Sequence, residues 1–264
     1  MNTSSWRRIS AGDPERVVLA IDFNSSARSE AGYHQLTELL RPSREVWLTN
    51  QPEAAETGLL PVEEYLRWWR NRPDGARGRV IAVTGYCVGA MFVPALAESI
   101  AEDQGSRPAS LLIDPERVVN LSFHRDFKKA IDNMSTLSAQ ERADHCAEAL
   151  AMCEAAGAAA AAATQVVKLY EAAVGTVSER LGFDEDTVED VVSVFRSYVS
   201  YLVAARQLDP EQGWGTSTAL TSAGSDPGVV RAAFLQTFPV GTEAMLADVR
   251  VVEAVHRFLV GCGA

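Results

Sequence analysis

R-V-I-A-V-T-G-Y-C-V-G-A-M-F-V-P-A-L-A, running from Arg79 to Ala97, is the stretch on which the fold turns. Val80, Ile81, Ala82 and Val83 make a short apolar run rich in β-branched residues, the mark of a buried strand. Gly85-Tyr86-Cys87-Val88-Gly89 breaks that run, and Met91, Phe92, Ala95, Leu96, Ser99 and Ile100 then recur at helical spacing. Strand, sharp glycine turn and helix are the context in which G-x-S-x-G becomes a nucleophile elbow, its central residue held in a strained backbone conformation. Here the central residue is Cys87, with sulfur where that pattern has oxygen. The plainer reading is a buried cysteine beside a glycine turn, because a free thiol often packs as a small hydrophobe. The surrounding strand and helix favour the elbow.

Outward from this stretch the same alternation repeats. Upstream, Val17 to Phe23 reads as a strand, Tyr33 to Leu40 as a helix closed by Arg41-Pro42, and Glu45 to Thr49 as a second strand. Pro61 to Trp69 reads as a helix with proline at its first position, and residues 1 to 13 as a loose start. Downstream, Ala109 to Asp114 is another buried strand, ending in a carboxylate. Strands alternating with helices predict an α/β fold with a mostly parallel sheet covered by helices on both faces.

The rhythm changes after Pro115. From about Val118 to Pro210 no convincing strand is found. Ser138-Ala-Gln-Glu141 is a capping-box signature, followed by a helical run through Cys146, Leu150 and Cys153. Ala155 to Ala163 is rich in the best helix former, and Asp186 with Glu189 is read as opening the next helix. Strands resume at Ser217 to Ala223 and Ala232 to Phe238, and Asp248 to Val260 is a terminal helix. The expected organisation is a discontinuous core, residues 1–117 and 211–264, interrupted by an all-helical lid or cap at 118–210.

Composition narrows the function. The 264 residues are 47% hydrophobic and 22% charged, ordinary for a globular protein. A net charge of −11 argues against nucleic acid as a partner, since that binding is dominated by basic contacts to phosphate. No apolar run reaches the roughly 20 residues of a membrane span, and M-N-T-S-S-W-R-R lacks the apolar core of a signal peptide. The four cysteines, Cys87, Cys146, Cys153 and Cys262, show neither zinc nor redox spacing. A cytoplasmic setting, no metal and no bound cofactor are expected.

Three segments resemble the α/β-hydrolase thioesterases of nonribosomal peptide and polyketide assembly lines. They are F-N-S-S-A-R-S-E-A-G-Y-H-Q-L-T-E-L-L (Phe23 to Leu40), G-Y-C-V-G-A through L-L-I-D-P, and P-V-G-T-E-A-M-L-A-D-V-R-V-V-E-A-V (Pro239 to Val255). The resemblance implies an α/β-hydrolase fold with Cys87 as nucleophile and Asp114 as acid, Asp226 of G-S-D-P being the alternative acid. It further implies an oxyanion hole from the backbone N–H of Val88 and of a residue in the Asn24–Ser26 loop, taken as Ser25. Two positions depart from the family. Cysteine replaces serine, as in poly-hydroxyalkanoate synthases and the aminoacyltransferases that serve carrier domains. Thr242 stands where the family has its histidine.

A thiol is already a few per cent thiolate at neutral pH, and an elbow at a helix N-terminus favours the thiolate further. Acylation of Cys87 therefore needs no histidine, whereas hydrolysis of an acyl-cysteine calls for a base. The expected function is acyl or aminoacyl transfer through a Cys87 acyl-enzyme. Its donor would be an acyl- or aminoacyl-carrier protein, with the group on a phosphopantetheine arm, or a small acyl thioester. The alternatives are a noncatalytic thioesterase-like binding protein and a plain thioester hydrolase with a substitute base. His34, His124, His145 and His256 read as surface or packing residues.

Overall fold

Strands buried on both faces are largely apolar, and at the centre of the observed sheet the buried Thr84 and Ser110 are exceptions to that rule. The computed structural model describes residues 4–23, 30–52, 58–71, 76, 78–226 and 230–262. Its strands are β1 (Trp6–Ser10), β2 (Arg16–Ile21), β3 (Glu45–Thr49), β4 (Arg79–Tyr86), β5 (Ala109–Ile113), β6 (Thr218–Thr221) and β7 (Phe234–Thr237). They form one 7-stranded sheet in the order β1-β3-β2-β4-β5-β6-β7. Every pairing is parallel except that of β1 with β3. Because side chains alternate across a sheet, Val18, Ala20, Ala82, Leu111 and Ile113 share one face, and Val17, Leu19, Val83 and Leu112 share the other. All nine are nearly inaccessible.

Helices α1 (Tyr33–Leu39) and α8 (Val249–Gly261) cover the first face. There Tyr33, Leu36, Val251, Val255 and Leu259 join the strand residues in one apolar cluster. Each such side chain taken out of water is worth about 1.5–3 kcal/mol. Toward the other face lie α2 (Val62–Arg70) and α3 (Val93–Gln104), and α3 packs against β4 and β5. Tyr65 and Trp69 of α2 close on Phe92 at the head of α3, with the Trp69 ring edge-on to Phe92 at 5.1 Å.

The amino-terminal stretch is not a loose start. Trp6 to Ser10 pairs antiparallel with β3, and two interactions hold it there. Trp6 is buried and its indole N–H donates to the carbonyls of Trp69 and Asn71 at 3.1 and 2.9 Å. The buried Glu45 carboxylate accepts from Arg8 at 2.7 Å, the Gly12 N–H at 3.0 Å and the Trp47 indole at 2.9 Å. W-R-R-I-S has no apolar alternation of its own, so only the partner strand makes it a strand. Pro61 precedes α2 instead of occupying its first position.

The chain divides into two compact units, one of residues 1–52, 63–117 and 208–264, the other of 53–62 and 118–207. The second unit contains α4 (Asn120–Asp132), α5 (Ala139–Ala155), α6 (Ala159–Leu181) and α7 (Glu185–Arg206). Its interior stacks Tyr170 on Phe195 at 4.0 Å, with Phe127 edge-on to Phe195 at 6.3 Å. The buried Asp126 carboxylate accepts from Tyr198 at 2.8 Å and from Arg125 at 2.9 Å. Two details differ from the sequence reading. The alanine tract is broken between Ala155 and Ala159, around Gly157, so local propensity yields to the turn between α5 and α6. Helix α7 is capped by Asp184, whose carboxylate accepts from the Thr187 N–H at 2.8 Å, two residues before Asp186.

The capping box at Ser138 is fully formed. Ser138 Oγ accepts from the Glu141 N–H at 3.2 Å, and Glu141 Oε2 accepts from the Ser138 N–H at 2.8 Å. The Arg180 guanidinium donating to Glu141, and then the cap, hold the Glu141 carboxyl down to about 2 from 4.5. A depressed carboxyl stabilises the fold above its unfolded value and loses that contribution as the pH falls through the folded one. Acid titration followed by circular dichroism should therefore show helical stability lost between about pH 4.5 and about 2, a loss that Glu141→Gln flattens. Chemical denaturation of Ser138→Ala should show a cost of about 1 kcal/mol.

Candidate active site

The parallel register of β4 and β5 builds the site. Tyr86 pairs with Ile113, so the residues leaving the two strands, Cys87 and Asp114-Pro115-Glu116, emerge side by side at one edge of the sheet. Both strands end on a left-handed residue: φ is 52° at Cys87 and 47° at Asp114. Such values cost a non-glycine residue free energy and persist only where the surroundings dictate them. At Cys87 the dictating contact is visible. A Cβ on Gly85 would lie 2.4 Å from the carbonyl oxygen of Gly89, so glycine alone lets the chain double back this tightly.

Cys87 then opens a 3-10 turn, Cys87–Met91, and the α-helix proper begins only at Val93, after Phe92. Val88 is the second residue of that turn and its side chain is buried. Cys87 itself is half-buried. Its thiol donates to Glu116 Oε2 at 3.2 Å, and the Glu116 N–H donates back to the Cys87 carbonyl at 3.2 Å. Sulfur and carboxylate are thus tied together through both side chain and backbone.

Asp114 is engaged elsewhere. Its N–H donates to the Leu220 carbonyl at 2.7 Å. Its Oδ1 accepts from the Ser222 N–H at 2.9 Å and from the Ser225 hydroxyl. Ser222 Oγ lies 3.2 Å from Thr242 Oγ1, and the Thr242 carbonyl accepts from Tyr86 Oη at 2.6 Å. Ser222 and Thr242 therefore link the loop around Asp114 to Tyr86, the residue before Cys87. Asp226 is exposed, just beyond Ser225. Ser25 lies outside the described residues, with the rest of 24–29. His34 is exposed on α1, His256 is half-buried on α8, and His124 and His145 belong to the helical unit.

The carboxylate that meets the sulfur is one the sequence reading passed over. Glu116 follows Asp114 by two residues, and attention to the strand-end acid hid it. The signal was the parallel strand pair itself: whatever follows Ile113 must stand beside whatever follows Tyr86. Burial pushes the thiols of Cys146, Cys153 and Cys262 upward. Among the described residues no group of three or more His, Cys, Asp or Glu is placed to hold a metal ion. No described helix is long and apolar enough to cross a membrane.

No family model matches the sequence, and no curated protein matches it. Solved structures do. The Vlm2 thioesterase domain carrying 2,3-diaminopropionic acid, bound with a dodecadepsipeptide, superposes with a TM-score of 0.56. It is 16% identical, over 98% of this chain and 99% of that one. AB3403, a four-domain nonribosomal peptide synthetase bound to AMP and glycine, gives 0.55 at 14% identity, over 98% of this chain and 20% of its own. The NocB thioesterase domain from the nocardicin cluster gives 0.50 at 14% identity, over 93% of each chain. At such identities the likeness is one of fold alone, and the fold is shared with these thioesterase domains.

The close approach at Gly85 generates a stability test. Gly85→Ala forces its methyl against the Gly89 backbone, which cannot rotate away as a side chain does. Denaturant unfolding should show a loss of about 1–3 kcal/mol, the cost of an overpacked buried site. Gly105→Ala, where a Cβ meets nothing within 4 Å, should cost only the strain of its φ of +73°.

Proposed function

We propose that this protein transfers acyl or aminoacyl groups through a thioester on Cys87. One observation carries the reading. A cysteine stands at positive φ between a central parallel strand and a helix, in a fold shared with thioesterase domains. This is where a nucleophile elbow would sit. In the first step Cys87 Sγ attacks the carbonyl of an acyl thioester. The carbon–sulfur bond to the donor breaks, and the donor leaves as a thiol with the proton that Cys87 gave up. The oxyanion would be met by the backbone N–H of Val88 and by one from the loop containing Ser25.

The neighbours support the donor class. One is a thioesterase domain bound with a depsipeptide, and another belongs to a nonribosomal peptide synthetase. For this chain we therefore place the acyl group on the phosphopantetheine arm of a carrier protein, as substrate and not as cofactor. Asp114, bound into the Ser222–Ser225 loop, would keep the strand end beside Cys87 in register. Thr242 offers a hydroxyl where the family has an imidazole, so it supplies no base.

The test is intact mass after acid quench, using an acyl N-acetylcysteamine thioester as donor. The protein should gain the mass of one acyl group within the first turnover. Cys87→Ala should abolish the gain, while Cys146→Ala and Cys153→Ala should keep it. A protein that binds the thioester yet never acylates at any quench time would instead be a binding protein with a thioesterase fold.

A further inference from the structure

We propose that Glu116 is the base of this site: at rest it accepts the hydrogen bond of the Cys87 thiol, and in the release step it takes a proton from the acceptor. This rests on the Cys87 acyl-enzyme proposed above, and it fills the place of the missing histidine with a residue from a different element. Three observations converge. Glu116 Oε2 lies 3.2 Å from the sulfur, in contact with the reacting atom. The Glu116 N–H fixes its backbone on the Cys87 carbonyl, so the root of that side chain is held beside the sulfur. The neighbouring acid, Asp114, already has its Oδ1 occupied by Ser222 and Ser225, and Thr242 brings only a hydroxyl.

The cycle balances. As Sγ attacks the donor thioester, its proton passes to the Glu116 carboxylate and from there to the departing sulfur. The acyl-enzyme is then a neutral thioester beside an ionised Glu116. An acceptor with an O–H, water or an alcohol, gives its proton to Glu116 as its oxygen attacks the acyl carbon. The carbon–sulfur bond to Cys87 breaks, and the proton on Glu116 returns to the sulfur. The thiol-to-carboxylate hydrogen bond seen in the structure is the state in which that cycle ends. The acceptor class is thereby widened from thiols, which ionise on their own, to hydroxyl groups, which need a base.

A carboxylate in this position acts in two opposite directions. With the thiol free, its charge disfavours the thiolate. With the cysteine acylated, its basicity speeds attack by a hydroxyl. The experiment reads both on purified full-length protein at pH 7. Glu116→Gln should make Cys87 react with iodoacetamide about tenfold faster, scored on Cys87 by peptide mass, because losing the neighbouring charge raises the thiolate fraction. The same variant, acylated in a single turnover, should lose acyl group to water about 10²-fold more slowly than wild type. Glu116→Asp keeps the charge on a shorter arm: its alkylation should stay slow while its hydrolysis falls. Unchanged or slower alkylation in Glu116→Gln would overturn the resting role at the thiol, and unchanged hydrolysis would overturn the base. If the wild type never acylates, the transferase reading fails. The alkylation arm then still decides whether Glu116 governs the thiol. Wild-type-like circular dichroism confirms that a variant folds, and a Glu116→Gln that misfolds leaves both readouts to Glu116→Asp, where unchanged hydrolysis rejects the base.

Discussion

The close approach of Gly85 to the Gly89 carbonyl is the contact on which the rest of the site depends. It forces Cys87 into the left-handed region at the end of a central strand, and it leaves the sulfur half-exposed at the sheet edge. A residue in that conformation is costly by itself, on the order of 1–3 kcal/mol. It is held because β4 and β5 are in parallel register on one side and the Phe92, Trp69 and Tyr65 rings are packed on the other. The same register delivers Glu116 to the sulfur, so one backbone constraint sets both partners of the pair.

Electrostatics at the sulfur then oppose each other. A helix N-terminus stabilises a nearby anion by about 0.3–1 kcal/mol. Here the benefit is limited further, because Cys87 opens a 3-10 turn and α3 starts only at Val93. A carboxylate beside the sulfur acts the other way, because a like charge disfavours the thiolate. In the structure the sulfur donates a hydrogen bond to that carboxylate. The elbow alone points to a thiolate, whereas the observed hydrogen bond sets a carboxylate against the sulfur.

The strand end at Asp114 is organised by a different requirement. A buried carboxylate needs partners, and here they are the Ser222 N–H and the Ser225 hydroxyl. The hydroxyl chain through Ser222 to Thr242 keeps that loop joined to Tyr86.

Much of the architecture was legible in one dimension. Apolar runs at strand length, helical spacing in α1, α3 and α8, and turn residues between them determine a parallel α/β sheet, because each is a local consequence of period and propensity. The Ser138 cap is legible for the same reason, its partner being three residues away. Cys87 stood out because two glycines flank it at the end of an apolar run. What the sequence could not determine is whatever depends on a distant partner. W-R-R-I-S becomes a strand only against β3, and the alanine tract breaks only because α5 and α6 must pack side by side. Glu116 meets Cys87 across 29 positions because Tyr86 pairs with Ile113. Local rules set the elements, and the register of two parallel strands chose which carboxylate faces the sulfur.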